Sequence, residues 1–268
     1  MLGVFDSGLG GLGVAGAIRR LDSRVDLVVF ADQARAPYGD RPHVEVLTFA
    51  HEATDLLARR DCSTIVVACN TASTVALAEL RLARPDLFFV GMEPAVKPAV
   101  AATRSGVVVV VGTTTTIEGR LLADVVARFG GSTRVVGIAL PGLVELVEDG
   151  LADAAAVDTL LSRHLDRTPV DDADVLVLAC THYGFARPAF ERVLGPGVTI
   201  IDPAEAVARQ ALRHTTPGDG RTTLITSGDP VRARRQVALM LGWDLPVERP
   251  QAVAARDGDL GLNAPARP

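Results

Sequence analysis

Positive charge is scarce in this 268-residue chain and almost all of one kind. Lys97 is its only lysine, arginine supplies the rest of the 27 basic residues, and 32 Asp and Glu leave a net charge of −5. That balance argues against a nucleic-acid or anionic-membrane surface, although a pocket can still hold an anion through backbone amides and helix N-termini. Cysteine is sparse too: there are three, with no Cys-x-x-Cys pair, which argues against a thioredoxin-like redox motif and a disulfide framework. No apolar run approaches the length of a membrane span. The chain opens on a strand-like run, Leu2-Gly3-Val4-Phe5, with no basic or long apolar leader before it. The expected setting is the cytoplasm, with reduced thiols. What is present is ordinary for a globular chain, 48% hydrophobic and 22% charged, so disorder is not the theme. The length suffices for one large domain or two smaller ones with proper cores.

Apolar runs alternate with longer amphipathic stretches from end to end, the pattern of parallel sheets covered by helices. Strands are expected over 2–5, 27–31, 64–68, 88–91, 107–112, 133–138, 175–179, 199–201 and 222–226. Helices are expected over 13–21, 43–59, 71–82, 116–129, 141–150, 152–163, 184–194, 203–214 and 230–241. An internal echo points to two similar halves. Each opens with a strand and a Gly- or Thr-rich turn, Val4-Phe5-Asp6-Ser7-Gly8 in one and Val110-Val111-Gly112-Thr113-Thr114 in the other. Pro94 and Pro98 interrupt the pattern near one boundary, and Asp202-Pro203 marks the other. The expected fold class is α/β, two similar parallel-sheet domains facing each other across a central cleft. The expected division is 1–92 plus 204–245 for the first domain, 93–203 for the second, and a flexible tail over 246–268, rich in Ala, Pro, Arg and Gly.

Two of the three cysteines end closely similar phrases. Ile65-Val66-Val67-Ala68-Cys69-Asn70-Thr71 and Val175-Leu176-Val177-Leu178-Ala179-Cys180-Thr181-His182 each run a buried strand into a polar turn that carries a thiol. Ligands bind at the carboxyl ends of strands in open α/β sheets. Two such ends facing one another would set two thiols on opposite sides of one small molecule, a geometry suited to taking a proton from one face of a carbon and returning one to the other. A buried cysteine alone is more often a small hydrophobe. Cys62, lying before its strand, fits that bland reading.

The remaining signals are weaker singly. Phe5-Asp6-Ser7-Gly8-Leu9-Gly10-Gly11 leads a strand through a glycine turn into a helix, but completes no dinucleotide fingerprint, and no Gly-Lys-Ser/Thr follows. It offers amides that suit a carboxylate; the alternative reading of Asp6 and Ser7 is as simple helix caps. Asp32-Gln33-Ala34-Arg35-Ala36-Pro37-Tyr38-Gly39 places one of two tyrosines in a turn after a strand. A Cys/Cys/His metal site from Cys69, Cys180 and His182 lacks the usual ligand spacing. Papain-like acyl transfer would leave one thiol unexplained.

Taken together these stretches resemble the glutamate racemases of the cofactor-independent aspartate/glutamate racemase superfamily. The resemblance is carried by Val4-Phe5-Asp6-Ser7-Gly8-Leu9-Gly10-Gly11, Pro37-Tyr38-Gly39, Val67-Ala68-Cys69-Asn70-Thr71-Ala72-Ser73, Gly91-Met92-Glu93-Pro94-Ala95, Cys180-Thr181-His182-Tyr183 and Ile201-Asp202-Pro203-Ala204, in the family's order. The chain departs from the family at Gly184-Phe185, at Ile117-Glu118-Gly119-Arg120 and at Glu145. The resemblance implies an isomerase that interconverts L- and D-glutamate without a cofactor or metal. Cys69 would be the first base for the D-enantiomer and Cys180 for the L-enantiomer, with Asp6 and His182 as their helpers and Glu148 as a further acidic assistant. Substrate would be bound by Asp6, Ser7, Tyr38, Gly39, Asn70, Thr71, Thr181 and His182. It further implies supply of D-glutamate for peptidoglycan, hence cell-wall biogenesis and cell shape. The partner would be the small-molecule substrate, with no nucleic acid or membrane, and a homodimer is left open. The competing readings are a racemase of aspartate or another amino acid, and a non-catalytic relative that binds a protein.

Overall fold

A computed structural model describes residues 1–150, 154–165 and 172–250. Its strands are β1 (Leu2–Asp6), β2 (Leu27–Ala31), β3 (Thr64–Val67), β4 (Phe88–Gly91), β5 (Val107–Gly112), β6 (Arg134–Ala139), β7 (Val175–Ala179), β8 (Thr199–Ile201), β9 (Thr222–Thr226) and β10 (Val247–Glu248). The helices are α1 (Leu12–Leu21), α2 (His43–Ala58), α3 (Asn70–Ala83), α4 (Val96–Ala102), α5 (Thr114–Ile117), α6 (Arg120–Phe129), α7 (Leu143–Glu148), α8 (Ala154–Leu165), α9 (Arg187–Leu194), α10 (Ala204–Leu212) and α11 (Pro230–Leu241). The strands form two sheets, ordered β10-β9-β2-β1-β3-β4 and β6-β5-β7-β8. Every pairing among them is parallel. The protein is thus two parallel-sheet α/β domains, as the strand-helix alternation implies.

The continuous apolar runs have a simple cause: both faces of each sheet are buried, so both sets of alternating side chains must be apolar. In β3, Val66 points into one core cluster of the first sheet and Ile65 and Val67 into the other. In β5, Val109 and Val111 join one cluster of the second sheet while Val108 and Val110 join its opposite. The strand orders decide where a ligand can sit. From β1 the chain builds β2 on one side and β3 on the other, and from β5 it builds β6 on one side and β7 on the other. Each sheet therefore has a switch point, β1/β3 and β5/β7, where the loops diverge and leave a crevice at the carboxyl ends of the strands.

Four features differ from the sequence expectations. The stretch 116–129 is two helices, α5 and α6, because the chain turns at Glu118 and Gly119 and restarts. A short helix, α4, occupies the region where Pro94 and Pro98 signalled a break; Pro98 lies in its first turn, where the missing N–H would have no helical partner anyway. The stretch 184–194 begins as a 3-10 turn, Thr181–Gly184, and becomes α-helical only from Arg187. Val247 and Glu248, expected to belong to the tail, pair with Leu224 and Ile225 of β9 as the edge strand of the first sheet. The rest of the tail, 251–268, lies outside the described residues.

Tyr183 ties the polar turn after β7 to its neighbours. Its buried hydroxyl faces the carbonyls of Gly112 (3.2 Å) and Leu140 (3.1 Å), at the ends of β5 and β6. Tyr183→Phe would remove that donor at a loss of about 0.5–1.5 kcal/mol, because each carbonyl keeps a backbone N–H, from Leu140 and Leu143. Urea unfolding of the variant should show that drop with the fold retained, and a variant as stable as the parent would contradict this role.

Candidate active site

The carboxyl ends of β1 and β3 in one domain face those of β5 and β7 in the other. Between them lies a narrow, tightly closed cavity lined by Ser7, Pro37, Tyr38, Gly39, Cys69, Asn70, Thr71, Thr113, Val144, Cys180, Thr181 and His182. Nine of the residues singled out from the sequence are in this lining. No Lys or Arg is among them, so a bound anion would rely on hydroxyls, amides, helix N-termini and the His182 ring. A wider cavity of about 320 Å³ shares Pro37 and Val144 with it and extends outward past Gln33, Glu148 and Arg232.

Cys69 follows β3 and caps α3, accepting the Ala72 N–H at 3.4 Å. A sulfur there feels the positive end of the helix, which favours thiolate. Its thiol lies 3.6 Å from Ser7 Oγ, and Ser7 Oγ in turn donates to Asp6 Oδ1 at 3.1 Å. Burial pushes the Cys69 thiol up to about 12 and the charge of Asp6 adds to the rise, while the Ala72 N–H and Ser7 hydroxyl oppose it. Asp6 is itself fully buried and accepts from Ser7 N–H (2.6 Å) and Thr181 Oγ1 (2.9 Å). Burial raises its carboxyl above the ordinary range, against the pull of His182 and Thr181. Asp6, expected also to touch substrate, stands behind the lining because those two bonds hold its carboxylate beneath the glycine turn.

Cys180 follows β7, its sulfur 3.9 Å from Nδ1 of the buried His182. The other ring nitrogen, Nε2, lies 2.6 Å from Glu148 Oε1. Burial works to lower His182, but the bonds to Cys180 and Glu148 and the charge of Asp6 hold it well above its usual value. For Glu148 burial works upward, and the His182 bond and charge outweigh it, leaving the carboxyl below its ordinary range. The two groups thus favour each other's charged forms, with Cys180 on the far side of the ring. Glu148 does not line the narrow cavity; it sits at the end of α7, one step behind His182.

Close approach of the two domains depends on two glycines. A Cβ at Gly8 would overlap Glu148, and one at Gly10 would stand 2.5 Å from Thr181 Oγ1 and 2.6 Å from His182 Nδ1. Neither position has room for any side chain, so the turn after β1 can lie directly on the second domain.

The remaining lining residues divide by how their polar atoms are used. Asn70 is buried with neither amide atom partnered, the condition of a side chain that awaits a ligand. Thr71 Oγ1 lies 3.0 Å from Thr113 Oγ1, bridging the domains. Tyr38 is positioned by its ring, packed between Phe5 and Phe49, while its hydroxyl donates to Asp32 at 2.5 Å. Gly39 offers backbone, its carbonyl accepting from Thr115 Oγ1 at 2.7 Å. Thr113 and Val144 are additional lining residues. Thr113 follows β5 as Ser7 follows the end of β1, so the internal echo in the sequence was the signal for it; Val144 left none. Among the described residues no group of three or more His, Cys, Asp or Glu is placed to hold a metal ion.

The arrangement is matched in known proteins. The family model for Asp/Glu/Hydantoin racemase matches residues 14–211. The glutamate racemase of Roseiflexus sp. (strain RS-1) is 41% identical over 96% of this chain and 97% of its own. The crystal structure of glutamate racemase isoform RacE1 from Bacillus anthracis superposes with a TM-score of 0.86 at 30% identity, over 94% of this chain and 97% of that one. The Escherichia coli glutamate racemase, solved with L-glutamate and the activator UDP-MurNAc-Ala, superposes with a TM-score of 0.82 at 28% identity, over 92% and 96%. With the family model covering most of its length and relatives of this similarity along nearly all of it, the chain belongs to the Asp/Glu/Hydantoin racemase family, among the glutamate racemases.

Proposed function

We propose that this isomerase interconverts L- and D-glutamate by passing a proton between two thiols, Cys69 and Cys180, on opposite sides of one small cavity. The observation that carries the reading is that each thiol ends a strand at its own sheet's switch point and has its own proton-handling group behind it. Cys69 is linked through Ser7 to Asp6, and Cys180 faces His182 and Glu148. Asn70, whose amide is unpartnered, and Thr71 are donors available to the carboxylates of glutamate, the ligand carried by the Escherichia coli relative, while Ser7 and Thr181 spend their protons on Asp6.

The proton is accounted for at every step. With D-glutamate bound, the Cys69 thiolate takes the α-proton, leaving a carbanion whose charge spreads into the adjoining carboxylate. The Cys180 thiol then delivers its proton to the opposite face, giving L-glutamate, a Cys69 thiol and a Cys180 thiolate. That thiolate rests beside the His182 imidazolium, which Glu148 keeps protonated. In the reverse direction the roles exchange. To reach the thiolate before the D-enantiomer reacts, Cys69 can pass its proton along Ser7 Oγ to Asp6, whose raised affinity for a proton suits it to accept one. The developing dianion is offset by fixed donors in a closed site rather than by water. The proposed role is supply of D-glutamate for peptidoglycan in the cytoplasm. The domains of the reading run over 1–92 with 204–245, extended to take in Val247 and Glu248, and over 93–203, following the membership of the two sheets.

Cys69→Ser and Cys180→Ser should each lower racemisation at least about a hundredfold, the lower end of what a positioned acid or base contributes. Elimination from 3-chloroglutamate needs only proton abstraction and departure of chloride, so each variant should keep one enantiomer: the L-analogue for Cys69→Ser, the D-analogue for Cys180→Ser. A coupled assay with each analogue reads this, and loss of the same enantiomer in both variants would refute the assignment. Cys62→Ser, whose buried thiol lies outside the cavity, should leave the rate unchanged.

The Glu148–His182 pair also sets a pH signature for stability. Glu148, lowered in the folded protein, contributes fully above its unfolded value and loses that contribution as pH falls through the folded one. His182, raised, contributes fully below its unfolded value and loses it as pH rises toward the folded one. Both are present together between about pH 4.5 and about 6.5. Unfolding free energies of the parent and Glu148→Gln should differ most in that window, and a difference that keeps growing above neutral pH would count against the pairing.

A further inference from the structure

Glu148 reaches His182 across the seam between the domains, and the way its carboxylate is held points to a residue with no part in the reading so far. Oε1 is fully engaged, accepting the Leu9 N–H at 2.6 Å and lying 2.6 Å from His182 Nε2. Oε2 accepts from Gln33 Nε2 at 2.9 Å, and among the described residues that is its hydrogen-bond donor. Gln33 sits in the 3-10 turn Gln33–Arg35 directly after β2, on the first domain.

We infer that Gln33 is a positioning residue for the reaction: its carboxamide fixes the Glu148 carboxylate against His182 and so governs how well Cys180 works as a base. This rests on the proposed roles of Cys180, His182 and Glu148.

The amide is not free to turn. Thr226 Oγ1 accepts the Gly228 N–H at 3.0 Å, which directs its own proton onto Gln33 Oε1 at 2.9 Å. With the oxygen end pinned, the nitrogen end must face Glu148. Its second hydrogen reaches Gln236 Oε1 at 3.2 Å, and Gln236 Nε2 donates to the backbone carbonyl of Glu148. Every polar atom of the two glutamines is thereby used, and Thr226 and Gln236 are both buried. A filler at a domain seam needs no such orientation, whereas a donor that must present N–H to one carboxylate oxygen does. An Asn or Gln whose direction is specified by its neighbours holds its partner to a narrow range of positions, which reactions with fixed donor geometry require.

The charged groups around Glu148 make a neutral donor suitable there. Asp6 and His182 face it from inside the site. Glu145 and Asp149 flank it on its own helix, and Asp229 and Arg232 of the opposing segment line the same outer cavity. Arg232 is taken up by Asp149 at 2.6 Å. A cation at position 33 would compete with His182 for the carboxylate and an acid would repel it, whereas a carboxamide does neither.

The test uses the enantiomers of 3-chloroglutamate, because each reports one thiol alone. Racemisation itself cannot separate the faces, since its equilibrium constant of one ties kcat/KM in the two directions. Gln33→Met keeps length and removes the donor. It should slow elimination from the L-analogue about ten- to a hundredfold while changing the D-analogue by less than about threefold. Gln33→Glu should show the same selectivity, so loss of folding in one variant leaves the other to decide; thermal melts establish which are folded. Equal slowing of both analogues, or of neither, would overturn the inference and leave Gln33 as seam packing. Glu148→Gln, measured alongside, separates this from the underlying reading. If it is selective for the L-analogue and the Gln33 variants are not, only the role of Gln33 falls. If Glu148→Gln is not selective, or the parent eliminates from neither analogue, the proposed function fails first.

Discussion

Two carboxylates, Asp6 and Glu148, have to be withdrawn from water where the domains meet, and everything else at the site is arranged around that cost. A buried carboxylate is tolerated only when its oxygens are met by donors or an opposite charge. For Asp6 the donors come from both sides of the seam, Ser7 from its own turn and Thr181 from the opposite domain. Glu148 takes Leu9 and Gln33 from across the seam and His182 from its own domain. Closing the cleft and satisfying the carboxylates are therefore one event. The two glycines of the first turn are part of the same constraint, since any side chain at Gly8 or Gly10 would hold the domains apart.

The two thiols occupy equivalent places in equivalent sheets, yet their surroundings differ in kind. Cys69 relies on dipoles, the start of α3 and the Ser7 hydroxyl, with an acid behind them. Cys180 instead faces the ring of His182, whose other nitrogen meets the Glu148 carboxylate. On the proposed mechanism, a symmetric reaction, whose substrate and product are mirror images, is served by two unlike acid–base devices. The consequence is that damage on one side should be visible enantiomer by enantiomer rather than as a general loss.

Strands were easily legible because burial on both faces writes them as unbroken apolar runs; β2, β4, β5, β7, β8 and β9 have the bounds expected from the sequence. Helix ends were harder. The break between α5 and α6 rests on how one glycine meets Thr74 and Thr115, a tertiary contact that periodicity does not record. Pro98, which interrupts the sequence pattern, is a first-turn residue of α4. At the site, the cysteines and their polar followers were readable because strand, thiol and turn are contiguous. Gln33 was not, because its meaning depends on Thr226, Gln236 and Glu148, all remote in sequence and joined only by folding. The bond from the Tyr38 hydroxyl to Asp32 was hidden for the same reason: a tyrosine beside a cavity is visible in a motif, but its partner is not.

The central claim is that the proton removed from one face is not the proton returned to the other. Racemisation of L-glutamate in D2O, followed by the α-proton signal of each enantiomer over the first few per cent of reaction, tests it most directly. Two solvent-equilibrated thiols predict D-glutamate carrying α-deuterium from its first appearance while the unreacted L-glutamate keeps its protium. Product that retains the original α-proton, or a starting pool that exchanges as fast as product forms, would mean that one group serves both faces and would contradict the account.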